Sequence, residues 1–195
     1  MAIKAVLFDC FGVLIVSGRQ SLLDAHPEHH EELHDLGIRA DRGFIDHAGY
    51  NEEASRIIGL SVDEIEARHL SRNVRNDPAF SWIRELHSSG QYKTALVSNI
   101  ARDGIDGLIP RAERDELFDV VVLSGQVGVT KPSEAIYDIA VGRLGVEPSE
   151  AVMIDDLLDN IDGAQYAGLH GIVYGNMRQT REDFDLIIAE EADRA

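Results

Sequence analysis

Cysteine is nearly missing from this sequence: one residue, Cys10, among 195. A lone cysteine excludes an internal disulfide framework, and no Cys/His spacing of a zinc site is present. Basic residues are scarce too, with 18 Lys and Arg against 35 Asp and Glu, a net charge of −17. Such a balance repels nucleic acid and anionic membrane surfaces, and it repels a phosphorylated substrate at long range unless the binding site is locally positive. No apolar run approaches the roughly 20 residues that a membrane span requires. The first apolar stretch is interrupted by Asp9 and followed by no small-residue cleavage site, so no signal peptide is expected and a cytoplasmic location is. There is no internal repeat and no low-complexity linker. What the sequence does have is 44% hydrophobic residues, enough for one buried core or a core with a small helical attachment.

The apolar residues are arranged in two ways. Ile3 to Phe8 is a short apolar run ending at Asp9 and Gly12, the pattern of a buried strand entering a turn. From Ser21 to Ser89, apolar residues are spread among charged ones at helical spacing, and no strand is expected there. Ser61 and Glu64 have the spacing of a capping box. Asp77-Pro78 marks another helix start. His26, His29, His30 and His34 read as a solvated helical face, and Trp82 reads as packing of the insert or its hinge.

Beyond Lys93 the pattern alternates. Strands are expected at Thr94–Val97, Val120–Leu123, Ala151–Ile154 and Gly171–Tyr174. Helices are expected at Ser133–Leu144 and Leu158–Ala167, with Gly145 and Gly168 as their stops. Glu182–Ala195 is expected as a surface helix. Strands alternating with helices imply right-handed βαβ units and a parallel sheet. Ligands bind such sheets beyond the carboxyl ends of the strands.

The residues at those ends are chemically pointed. Asp9 follows the first strand, Ser98-Asn99 the second and Asp155-Asp156 the fourth of the five, counted by position along the chain, with Asn160 one turn later. Lys131-Pro132 follows Val120–Leu123 after a loop. A carboxylate can attack phosphorus, and the acyl phosphate so formed is readily hydrolysed. Two anions must meet for that, so a cation is required. Mg²⁺ takes hard oxygen ligands, and Asp9 and Asp156 would offer one carboxylate from each of two strands. Lys131 would hold the remaining phosphate charge and steady Asp9, while Ser98 and the Asn99 backbone would donate to phosphate oxygens. Cys10 reads as a packed small side chain.

Four segments, LFDCFGVL, TALVSNI, KPSEAIY and VMIDDLLDNIDGAQYAG, occur in this order, each at or after an expected strand. Together they resemble the haloacid dehalogenase superfamily over essentially the whole chain. The resemblance implies an α/β fold: a Rossmann-like parallel sheet core of residues 1–15 and 90–195, with a small inserted α-helical cap at residues 16–89. It implies Asp9 as nucleophile and a Mg²⁺ ion held by Asp9, the Phe11 carbonyl and Asp156, with Asp155 acting through a water and Asn160 supporting it. It also implies a small phosphorylated metabolite as substrate and a monomer or homodimer.

The sequence departs from that family's pattern at one place. Where family phosphatases carry a second Asp that protonates the leaving group, this chain has Phe11. Losing a general acid typically removes about 10²–10⁴-fold in rate. Three readings stay open: a Mg²⁺-dependent phosphatase, a metal-independent 2-haloacid dehalogenase, or a ligand-binding relative without turnover. A dehalogenase calls for a cap arginine, for which Arg39 and Arg42 stand in a suitable region; the acidic pair Asp155-Asp156 favours the phosphatase.

Overall fold

Ala5–Phe8 (β1) reads AVLF and is buried along its whole length, as a strand with both faces covered must be. The computed structural model describes residues 2–16 and 18–193, with no side-chain account for 16–21 and 69–72. After β1 come a two-residue strand β2 (Ile15–Val16) and the helices α1 (Gly18–Ala25), α2 (His30–Asp41), α3 (His47–Ile58) and α4 (Val62–Arg72). The chain then returns through β3 (Val74–Arg75) and α5 (Asp77–Ser88). The remainder alternates: β4 (Lys93–Ser98), α6 (Arg111–Leu117), β5 (Val120–Leu123), the single turn α7 (Ser124–Val127) and α8 (Glu134–Leu144). Last come β6 (Ala151–Asp155), α9 (Leu158–Tyr166), β7 (His170–Val173) and α10 (Met177–Asp193).

Five strands form one sheet in the order β5-β4-β1-β6-β7, every pairing parallel. This is the Rossmann-like α/β arrangement expected from the alternation. Side chains of successive strand residues point to opposite faces. Val6 and Phe8 join Leu96, Val152 and Ile154 under α5 and α10. Ala5 and Leu7 join Ala95, Val97 and Met153 under α8 and α9. A third cluster, with Leu22, Leu33, Leu36, Tyr50, Ala54 and Ile65, lies among α1–α4 and takes in Ala101 from beyond them.

All five expected strands form, and the capping box is present: the Glu64 amide donates to Ser61 Oγ at 3.3 Å and the Ser61 amide to Glu64 Oε2 at 2.9 Å. The last helix is described to Asp193; residues 194 and 195 of the expected Glu182–Ala195 helix lie outside the described residues.

Two expectations are corrected. The 21–89 stretch does contain a strand, since β3 pairs antiparallel with β2 through Ile15–Arg75 and Val16–Val74. A two-residue ribbon shows no alternation to read. Trp82 packs in the sheet's own cluster, edge-on to Phe8 at 5.7 Å and to Phe184 at 5.4 Å between ring centroids. The apolar face of α5, with Phe80, Ile83 and Leu86, lies in that cluster too.

Asn76, between β3 and α5, is tied to the segment that follows β1. Its amide donates to the Leu14 carbonyl at 2.8 Å, and its side chain donates to the Val13 carbonyl at 2.7 Å. Arg75 forks onto Glu113 and stacks 3.4 Å over the Phe80 ring. Among the described residues no helix is long and apolar enough to cross a membrane.

Trp82→Ala is expected to cost about 3–5 kcal/mol, the usual range for deleting a buried large aromatic. Urea unfolding followed by far-ultraviolet circular dichroism measures this, because the chain has no other Trp to report on.

Candidate active site

The sheet register brings the site together. Phe8 stands opposite Leu96 on one side and Ile154 on the other, so one residue further Asp9 lies beside Asp155. The Asp9 amide donates to the Ile154 carbonyl at 3.0 Å. Carboxylate oxygens of Asp9, Asp155 and Asp156 lie within 4.8 Å of one another. No other such group of acid, histidine or cysteine ligands occurs among the described residues. The histidines of α2 and its approach pair with neighbouring acids or stack on each other instead, His29 with Glu32 and His30 on His34.

Lys131 enters this cluster from the loop before α8. Its Nζ lies 2.7 Å from Asp9 Oδ1 and 2.5 Å from Asp155 Oδ2, and the residue is buried. Asn99, at the end of β4, grips the main chain of Lys131 in both directions. Its Nδ2 donates to the Lys131 carbonyl at 3.0 Å, and its Oδ1 accepts from the Lys131 amide at 2.8 Å. The side chain of Asn99 thus holds Lys131, a role that sequence reasoning, which assigned only its backbone, did not find. The partner is 32 residues away in sequence, and no local signal marks it.

Asp155 is enclosed. Oδ1 accepts from the Leu157 amide at 2.9 Å and from Asn160 Nδ2 at 3.0 Å; Oδ2 accepts from Lys131 and from the same Asn160 nitrogen. A carboxylate has about four lone-pair sites, so these bonds occupy it. Asn160 is held in turn by Tyr137, whose Oη donates to the Asn160 carbonyl at 2.6 Å. Asp156, one residue on, is only half-buried. It occupies the space beside Gly12, where a Cβ would fall 2.1 Å from Asp156 Oδ2 and where φ is +83°. Glycine is required there both for the turn and for the carboxylate behind it.

Phe11 turns its ring against the sheet's apolar cluster, and its backbone bridges to Ile15. Cys10 is fully buried in the same cluster, and burial beside the Asp9 charge pushes its thiol pKa up.

Electrostatics follow from burial. Desolvation raises the Asp9 carboxyl to about 7; Lys131 opposes the rise, and Asp155 adds to it. Burial alone would lower the Lys131 ammonium, but Asp9 and Asp155 more than offset that and raise it. Burial and Asp155 also raise Asp156. With all three carboxylates ionised and one lysine among them, the cluster carries two uncompensated negative charges. That donor set, hard oxygens with a deficit of two, fits a divalent cation such as Mg²⁺. Ser98 gives the second observation. Its hydroxyl is completely buried and has no hydrogen-bond partner. An unpartnered buried hydroxyl costs about 1–3 kcal/mol, and an anion's oxygen beside it would satisfy it.

A Rossmann-like sheet that gathers three carboxylates and a lysine at its carboxyl edge suits a cation-assisted hydrolase. The haloacid dehalogenase-like hydrolase family model matches residues 3–168, and the chain belongs to that family. It is similar to protein CbbY of Cereibacter sphaeroides, 38% identical over 93% of this chain and 88% of that one. It is similar to pyrophosphatase PpaX of Bacillus cereus, 34% identical over 86% of this chain and 81% of that one. Two other relatives are far longer: the chain spans 30% of drimenol cyclase drtB of Aspergillus calidoustus and 8% of acyl-CoA dehydrogenase family member 10 of Mus musculus. A HAD-like hydrolase structure from Porphyromonas gingivalis superposes with a TM-score of 0.77 at 25% identity, over 96% of this chain and 98% of that one. The L-2-haloacid dehalogenase of Xanthobacter autotrophicus shares the fold at a TM-score of 0.62 and 23% identity, over 87% and 76%.

The raised Asp9 pKa has a stability consequence. The folded, cation-free protein holds this proton more tightly than the unfolded chain does. The stability gained is fully present below about pH 4 and is lost as pH rises through about 7. Asp9→Asn cannot ionise. Paired thermal melts in EDTA should therefore show the parent protein losing stability relative to Asp9→Asn between about pH 5 and pH 8; parallel curves would contradict the shift.

Proposed function

We propose that this hydrolase is a Mg²⁺-dependent phosphatase that acts on a small phosphorylated metabolite through an aspartyl phosphate on Asp9. The observation that carries the reading is the Lys131 ammonium 2.7 Å from Asp9, inside a cluster of three carboxylates, next to a strand end that offers the orphaned Ser98 hydroxyl. The relatives named as phosphatases, PpaX and the sesquiterpene phosphatase astK of Aspergillus oryzae among them, support the same chemistry.

In this reading Asp9, the Phe11 carbonyl and Asp156 would hold Mg²⁺, which when bound supplies the positive charge that lets an anionic nucleophile and a phosphate meet. Asp155, its oxygens already taken, is assigned to holding Lys131. An Asp9 carboxylate oxygen attacks phosphorus while the bond from phosphorus to the leaving oxygen breaks, and that oxygen departs with the electron pair. Lys131 favours the ionised form of that carboxylate and orients it, and it balances charge on the phosphoryl oxygens. Ser98 Oγ donates to one of those oxygens. Water then hydrolyses the acyl phosphate and frees Asp9. Helices α1–α4, with their own apolar cluster, are assigned as the cap that closes over the site and excludes water.

Phe11 supplies no proton to the departing group. Leaving groups that depart as stable anions, such as aryl oxides or phosphate itself, are therefore favoured over alkoxides, which need protonation. A dehalogenase must accept a carboxylate substrate and release a halide. A cluster with two excess negative charges opposes both, and this ranks dehalogenation second.

The test is hydrolysis of p-nitrophenyl phosphate with Mg²⁺ or with EDTA, run beside chloride release from 2-chloropropionate. Phosphatase activity is expected only with Mg²⁺, and Asp9→Asn is expected to abolish it. Chloride release without metal, in place of phosphatase activity, would overturn the proposal.

Phe11→Asp supplies the missing acid, and it is expected to raise turnover of an alkyl phosphate by about 10-fold or more, against a general-acid effect of about 10²–10⁴. Initial rates on alkyl and aryl phosphates in parallel measure this, with the aryl ester gaining less.

A further inference from the structure

Ser124 is the first residue after β5 and is completely buried. Its hydroxyl meets two parts of the molecule at once. It accepts from the Ile100 amide at 2.9 Å and donates to the carbonyl of Asp41, the last residue of α2. Ile100 is next to Asn99, which clamps Lys131, and two residues from Ser98. The same hydroxyl also lies 3.3 Å from the Ile100 carbonyl. A serine has one proton to give, and here the nearer acceptor is the one on α2.

The surroundings are built for close approach at this point. Gly43, just past α2, has φ of +76°, and a Cβ there would lie 2.5 Å from the Gly125 carbonyl oxygen. A Cβ on Gly125 would lie 2.5 Å from the Arg102 amide nitrogen. A second bond fastens the same junction: the His47 amide, at the start of α3, donates to Asp103 Oδ1 at 3.0 Å. The turn after α2 thus packs its backbone on α7, α7 packs its own on the segment following β4, and Ser124, the first residue of α7, bonds to both sides.

We infer that Ser124 is a positioning residue whose hydroxyl ties the seating of α2 to the 98–100 segment, so that a seated cap and a correctly placed Ser98-Asn99 are stabilised by the same side chain. This rests on the hydrolase reading of the Asp9 site. When α2 lifts, the hydroxyl can turn to the Ile100 carbonyl, so the core side of the junction keeps its proton bonded. Seating then moves the serine's one donated bond from the Ile100 carbonyl, which also accepts from the Gly125 amide at 3.0 Å, to the Asp41 carbonyl.

The experiment compares Ser124→Ala with Asp103→Ala, which breaks the other bond of the junction and leaves the Ile100 amide alone. Hydrogen–deuterium exchange is read on the segments 41–47 and 98–101 of the intact chain, and kcat and KM are read with p-nitrophenyl phosphate and Mg²⁺. Ser124→Ala is expected to speed exchange in both segments and to lower kcat about 10-fold, the scale of one lost buried bond. Asp103→Ala is expected to speed exchange in 41–47 only. Should Ser124→Ala fail to fold, Ser124→Cys keeps the shape with a weaker donor and acceptor and is expected to change exchange in both segments the same way. Unchanged exchange at 98–101 in the Ser124 variant, or equal loosening of 98–101 by Asp103→Ala, would overturn the inference. The exchange measurement needs no turnover, so failure of the phosphatase reading shows in the parent protein's kinetics and failure of the coupling shows in exchange.

Discussion

A lysine ammonium buried between two carboxylates organises the carboxyl edge of this sheet. Lys131 lies within hydrogen-bonding distance of both Asp9 and Asp155. Each of these ions would cost several kcal/mol to bury unpaired, so none can be placed independently of the others. The neighbouring structure follows from that constraint. Asn99 fixes the Lys131 main chain, Asn160 and the Leu157 amide fill the Asp155 oxygens, and Tyr137 holds Asn160. These groups come from β4, α8, β6 and α9. The pairing of β1 with β4 and β6 in register is what allows them to converge.

The same arrangement divides labour between adjacent acids. Asp155 is fully enclosed and acts inward, on Lys131. Asp156 is half-exposed and stands beside the glycine turn, with a carboxylate oxygen within 4.8 Å of oxygens of Asp9 and Asp155. Asp155 ends β6 and Asp156 opens the turn after it, and on the proposed reading the first serves the scaffold through Lys131 and the second serves the cation.

Much of this was legible in the sequence, and for identifiable reasons. The strands are short apolar runs bounded by turn residues, so β1, β4, β5, β6 and β7 could be read directly. The strand-end rule then singled out Asp9, Ser98, Asn99, Asp155 and Asp156. Lys131 lies past α7, a loop away from the strand end it was counted with, and the motif around it supported the assignment. Ser124 follows β5 directly and the same rule applied to it, but the reading passed over it to the lysine further on. The Asn99 clamp, the β2–β3 ribbon and the burial of Trp82 against Phe8 were not legible. Each depends on a partner distant in sequence, and neither periodicity nor composition records such partners.

Charge sets the remaining limit on how such a site can work. The chain carries a net −17, and with its three carboxylates ionised the cluster around Asp9 holds two uncompensated negative charges of that total where, on the proposed reading, an anion must arrive. Screening at physiological ionic strength reduces the long-range part of that repulsion beyond about 8 Å but leaves the contact part intact. Lys131 cannot cancel it, because its charge is already shared between two carboxylates. On the proposed reading the divalent cation is therefore a condition of substrate binding as well as of chemistry. Phe11 sharpens the point: with no proton to give the leaving group, the site must stabilise negative charge on the phosphoryl oxygens and on the departing atom together. On the proposed reading the groups that would do so are the Lys131 ammonium, the Ser98 hydroxyl and the Asn99 backbone amide in the loop after β4, next to the Ile100 amide that Ser124 holds. That loop is the segment Ser124 holds, which links substrate enclosure to the alignment of those groups.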